Sequence, residues 1–359
     1  MTTGTFGRRL TARTARLAIA LAGGLGLSTG VATAKVASGT KAHFCTDTSN
    51  AWFKSCSAAA ADDYWVAKAK CINVSDDTAR ADCFQTAKDD RKEAAGSCKE
   101  GLDWRLSICK KTGQERYDPA IDPANFETDY HHLMNPNVYF PLGIGNHWKY
   151  AGSGEINTVD ILDHTKLISG VTCIVAQDLV FDPVNLSEST NDWYCQAKDT
   201  TVWYFGEETG EYVTTPGDDP PLPELVTIEG SFKQGRDGSK AGIIFEASPA
   251  VGDTYVEESA IGDAEDATDI LSTTYAYGTD KALDQFVPAA LANLLCANHD
   301  CVVTSNYSLL EPNVFGHKYY ARGIGVFLEV DPATGDLSQL VDCDFPADPD
   351  ARCKQLPQP

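Results

Sequence analysis

Between residues 45 and 109 the chain carries six cysteines, Cys45, Cys56, Cys71, Cys83, Cys98 and Cys109, at steps of 11, 15, 12, 15 and 11 positions. The spacing reads the same in both directions, and the numbers of each nested pair add to 154. A helical hairpin folded at residue 77 has this property, because each cysteine of the outgoing arm lies level with one of the returning arm. At about 100° per residue, a 15-residue step turns a helix by a net 60° or so and an 11-residue step by about 20°. All three cysteines of an arm therefore share a face. Helices packed roughly 8–10 Å apart bring facing Cα atoms within the roughly 4.4–6.8 Å that a disulfide spans. The expected ladder is Cys45 with Cys109, Cys56 with Cys98 and Cys71 with Cys83. Symmetry and geometry select it, since six cysteines permit about 15 connectivities. A metal cluster is the poorer reading, because the segment has no C-x-x-C pair and His43 is the nearby histidine.

The start of the chain points to export. Arg8, Arg9, Arg13 and Arg16 precede an apolar run over 17–27 and a small-residue site at Ala32, Thr33 and Ala34, which reads as a signal peptide over 1–34. The run is too short to remain as a membrane anchor. Removing it takes four arginines and no acids, so the formal charge moves from −22 to −26. Such a chain repels nucleic acid and anionic surfaces. Twelve cysteines, an even number, suit a secreted or periplasmic protein.

About 325 mature residues suffice for two domains. Residues 43–112 read as the α-hairpin, with Asp76 and Asp77 supplying turn and N-cap chemistry between the arms. Residues 113–138, with two Asp-Pro pairs and one Asn-Pro, read as an ordered linker. Over 139–345 short alternating runs, at 157–162, 172–180, 192–196 and 201–205, are separated by turn residues such as Ser169-Gly170 and Thr334-Gly335-Asp336. The expected fold class is α+β: the disulfide-laddered hairpin, then an antiparallel β-domain curved into a half-barrel or sandwich. Cys173 with Cys195, Cys296 with Cys301, and Cys343 with Cys353 are the expected local bridges, the last closing a tail over 346–359.

The motifs Tyr139-Phe140-Pro141-Leu142-x-x-Gly145-Asn146-x-Trp148, Asp192-Trp193-Tyr194-x-Gln196, Val202-Trp203-Tyr204-Phe205-Gly206-Glu207 and Lys318-Tyr319-Tyr320-Ala321-x-Gly323 resemble those of a family of secreted bacterial proteins with a cysteine hairpin before a β-domain. The resemblance covers roughly residues 43–343 and implies the architecture but no reaction. Relative to that pattern, 281–303 reads as an insertion.

Two candidate sites stand out. Glu258, Asp263, Glu265 and Asp266 belong to an acidic segment of the kind that supplies calcium with oxygen ligands, although the twelve-residue loop spacing is absent. The alternative is a solvated acidic face. Asp192, Trp193, Gln196, Trp203 and Glu207 would form the wall and polar margin of a pocket for a small apolar molecule or glycan, if the aromatic side chains line a concave face rather than fill the core. His131, His132 and His147 lack the fixed spacing of metal ligands. After the expected signal peptide, catalytic motifs such as G-x-S-x-G and H-E-x-x-H are missing; the one G-x-S-x-G spacing, Gly26-Leu27-Ser28-Thr29-Gly30, falls within that peptide. The expectation is a non-catalytic binding or structural envelope protein, with a small molecule, a glycan or an envelope protein as partner. The alternative is a secreted hydrolase working through Asp192 and Glu207.

Overall fold

The computed structural model describes residues 42–182, 184–347 and 349–358; the signal peptide expected at 1–34 lies outside them. The chain divides into two compact units at Arg116 and Tyr117.

The first unit is the hairpin. Helix α1 (Phe44–Ile72) and helix α2 (Asp77–Thr112) are joined by a four-residue turn. The Asp76 side chain accepts a hydrogen bond from the Ala79 backbone N–H at 2.8 Å, satisfying one of the donors left over at the start of α2. The three rungs form as the spacing predicts: Cys45–Cys109, Cys56–Cys98 and Cys71–Cys83, with Cα atoms 5.6, 5.8 and 5.5 Å apart. Cys71, Cys98 and Cys109 are buried in the seam. Beside them the Arg105 guanidinium lies 4.1 Å from the Trp52 ring centroid. Two helices alone bury little apolar area, so covalent rungs supply what a core would otherwise give.

The second unit is built on β1 (His147–Gly152), β2 (Glu155–Ile168), β3 (Val171–Asp182), β4 (Asn185–Gln196), β5 (Val202–Thr214), β6 (Pro223–Thr227), β7 (Lys240–Phe245), β8 (Thr254–Val256), β9 (Glu258–Ser259), β10 (Asp266–Tyr275), α3 (Ala289–Leu295), β11 (Cys301–Ser308), β12 (Gly316–Ala321), β13 (Gly325–Val330) and β14 (Leu337–Asp344). Every strand pairing is antiparallel, and the path runs β8-β10-β11-β12-β13-β14-β1-β2-β3-β4-β5-β7-β9, with β6 added beside β5. The two ends of this path, β8 and β9, are separated in the chain by Glu257 alone. The sheet therefore wraps past a half-barrel into a nearly closed barrel. At the seam β7 crowds the β8–β9 junction: a Cβ placed on Gly242 would collide with the Glu257 carbonyl. Only glycine lets the backbones approach this closely.

Antiparallel hairpins alternate between the two ends of a barrel. At one end lie the β2–β3, β4–β5 and β12–β13 connections, covered by the segment expected as a linker. Tyr130 is buried there; its hydroxyl accepts from the Gln196 N–H at 2.9 Å. Gly323 N–H donates to Val138 C=O, and Leu142 is fully buried. Residues 117–138 thus belong to the β-unit. The expected insertion forms α3 and the start of β11, and its Leu283, Leu291 and Leu295 join the main core. The predicted bridges Cys173–Cys195, Cys296–Cys301 and Cys343–Cys353 are all present.

Candidate functional site

Alternation along the strands sorts the side chains by face. On β3 and β4, Cys173, Val175, Trp193 and Cys195 point outward into a secondary cluster with Phe126 and Phe205. Ile174 and Ala176 point inward, paired with Tyr194 and Asp192. Regular alternation would place Tyr204 and Glu207, three residues apart, on opposite faces. A bulge at Phe205 and Gly206 restores Glu207 to the inner face: Tyr194 pairs with Tyr204 while Asp192 pairs with Glu207. Gly206 has φ +134°, and a Cβ there would strike the Phe232 carbonyl, so the bulge requires glycine.

The inner face changes character along the barrel axis. Toward the covered end it is apolar, with Ile174, Val202, Phe245, Ile270 and Val302 all buried. Toward the other end, where the β1–β2, β3–β4, β11–β12 and β13–β14 connections lie, the strands carry Asp178, Glu188, Asp192, Glu207, Glu257, Asp266, Lys318 and Glu329. Exposure is graded: the Glu329 side chain is 50% and Lys318 29% exposed, whereas Asp192 is 6% and Tyr320 1%. The inner face is thus an acidic wall, here the bowl, set over an apolar floor.

The hydrogen bonds within it are dense. The Tyr204 hydroxyl stands within hydrogen-bond distance of Asp192 Oδ1 and 2.8 Å from Glu207 Oε2. One phenolic proton serves one of these acceptors, so the second bond requires a proton on a carboxyl group. Burial, then the negative charges of Glu207 and Asp178, hold the Asp192 pKa well above the carboxylate range. Asp178, which accepts from Asn157 Nδ2 at 2.5 Å, is pushed up to about 7 by burial and then by Glu188. Glu258 is raised by burial, then by Asp266 and Glu207. Glu257 accepts from the Thr268 hydroxyl at 2.5 Å and from Asn306 Nδ2 at 2.8 Å, yet burial raises it too. Lys318, 3.3 Å from Glu329, is the cation that acts on Glu257. Below Asp192 and Glu207, toward the floor, Tyr194 and Tyr204 stack with centroids 5.0 Å apart.

No family model, curated protein or solved structure matches this chain. The site is therefore read from its own residues.

Of the residues singled out in the sequence, Asp192 and Glu207 meet at Tyr204. Trp193 and Trp203 lie on the opposite face, where the Lys166 ammonium sits 3.4 Å from the Trp193 ring centroid and Phe126 packs edge-on against Trp203. Gln196 is fully buried and holds the covering segment: its Nε2 donates to Asn135 C=O at 2.8 Å, and its Oε1 accepts from Asn137 N–H at 3.0 Å. The acidic segment divides as well. Glu258 and Asp266 act on each other and on the bowl. Asp263 is exposed, and Glu265 folds back to accept from Gly262 N–H at 2.8 Å. Among the described residues, no three His, Cys, Asp or Glu side chains converge as around a metal ion. The histidines each face an aspartate instead, His131 with Asp163, His132 with Asp129 and His147 with Asp160. Glu257 belongs to the acidic segment, whereas Asp178, Glu188 and Tyr255 carried no motif; their one sequence signal is a polar residue at a core-facing position of a strand.

Proposed function

We propose that the protein is a binding protein whose β-barrel holds a small, positively charged organic ligand in the acidic bowl. The observation that carries this reading is the set of inward carboxylates Asp178, Asp192 and Glu258, whose strongest electrostatic neighbours are other acids, Glu188, Glu207 and Asp266. Buried charge of one sign is costly, and protons on the carboxyl groups relieve it when no cation is bound. An organic cation would take their place, stabilised by the carboxylates and by the faces of Tyr194 and Tyr204. Calcium fits the donor set less well, because it needs six to eight converging oxygens and the carboxylates are spread around the wall. The hairpin would serve as a stiff spacer or docking arm. Six disulfides suit an oxidising compartment, and no described helix is long and apolar enough to cross a membrane.

The enzyme reading rests on the Asp192–Tyr204–Glu207 bridge, since a carboxyl with a raised pKa can donate a proton. Glycosidic pairs, however, flank the scissile bond at roughly 5–9.5 Å. These two carboxyls stand side by side on neighbouring strands of one wall and share one hydroxyl. Titration of the mature protein with alkylammonium salts, followed by native mass spectrometry, tests the binding reading. A retained cation that disappears in Asp192→Asn supports it. Turnover of a glycoside that disappears in the same variant would replace it with the hydrolase.

A further inference from the structure

A second observation in the barrel concerns Tyr255, which the acid cluster does not require. Its side chain is 7% exposed and its hydroxyl has no hydrogen-bond partner. A phenol buried without a partner gives up its hydrogen bonds to water and regains none. Tyr255 pairs directly across from Thr268, whose hydroxyl binds Glu257. Its oxygen also lies within electrostatic reach of Tyr320 and Glu257, and then of Glu246 and Asp253. The hydroxyl therefore points into the same interior as the acids, at a second station made by Glu257, Thr268 and Asn306.

The two stations occupy neighbouring arcs of the wall. Asp192, Tyr204 and Glu207 lie on β4 and β5, and Tyr255 and Glu257 lie beyond β7 at the seam. From β5 to β8 is two interstrand steps, about 10 Å along the wall, with the side chains converging from there. Ile244 on β7 and Ile270 on β10 belong to the apolar core of the barrel. Deepening the reading above and resting on it, we infer that the ligand is an alkyl di- or polyammonium ion. One ammonium group would sit at Asp192 and Glu207, the methylene chain over the apolar floor, and a second ammonium at Glu257 with the Tyr255 hydroxyl as acceptor.

The test uses calorimetry at pH 8 on the mature, disulfide-bonded chain, with 1,5-diaminopentane, spermidine, pentylamine and calcium chloride as probes. The diamine and triamine are expected to bind at least roughly tenfold more tightly than pentylamine, the worth of one charge-assisted hydrogen bond. Tyr255→Phe is expected to weaken the diamine about fivefold and to leave pentylamine unchanged. This variant keeps the ring and removes a hydroxyl that nothing in the fold satisfies, so its melting temperature should hold or rise. Pentylamine binding as tightly as the diamine would overturn the two-station inference and leave the cation-binding reading standing. Absence of binding by any amine, or binding of calcium alone, would overturn both.

Discussion

At the scale of single residues, the raised carboxyl pKa values make the barrel's stability fall with pH. Asp178 has a folded-state pKa of about 7 against 3.8 in the unfolded chain, so the native state holds the proton more tightly. Its contribution is complete below the unfolded value and is lost as pH rises through about 7. The groups that set this response are Glu188, Glu207 and Glu329 around Asp178, with Asn157 opposing them, and Asp192 and Glu258 shift in the same direction. Denaturant midpoints of the ligand-free protein should therefore decline between pH 5 and pH 8. In Asp178→Asn that decline should be shallower. Midpoints that rise over the same interval would show that the bowl is charged when empty. Gly206 gives an independent residue-scale prediction. Gly206→Ala puts a side chain at φ +134° against the Phe232 carbonyl, and should cost at least ~1–3 kcal/mol in urea unfolding.

At the scale of elements, the hairpin was legible in the sequence because its information is local and redundant. The cysteine steps fix helix phase, register and turn position together, and the Asp76 cap falls where the ladder demands a turn. Replacing Cys56 and Cys98 with serine should lower hairpin stability by about 2–4 kcal/mol, read as an earlier loss of helical circular dichroism. The β-unit yields differently. Its strands and their local bridges follow from alternation and turn residues. Which residues share the bowl depends on pairings that alternation does not contain. Asp192 and Trp193 are neighbours in sequence and face opposite ways. Tyr204 and Glu207 share a face only because of the bulge at Gly206. Asp178 on β3 and Glu257 at the β8–β9 junction are almost eighty positions apart, and closure of the sheet is what brings their acids into one interior.

At the scale of the whole molecule, the β-unit divides its labour between two ends. Residues 117–146 and the core around α3 close one end with apolar side chains, which keeps water from the floor and raises the pKa values of the acids above it. The seam between β7 and the β8–β9 junction completes the wall, and Gly242→Ala should open it. The expected signature is faster amide exchange in β7 and β8, with the hairpin's exchange unchanged. The central claim is that protons neutralise the acids of the bowl in the ligand-free protein and an organic cation replaces them. Titration calorimetry with 1,5-diaminopentane at pH 7, in two buffers of different protonation enthalpy, addresses it most directly. The account predicts heats that differ between the buffers by an amount corresponding to protons released on binding. Equal heats in the two buffers, or no binding heat in either, would contradict it.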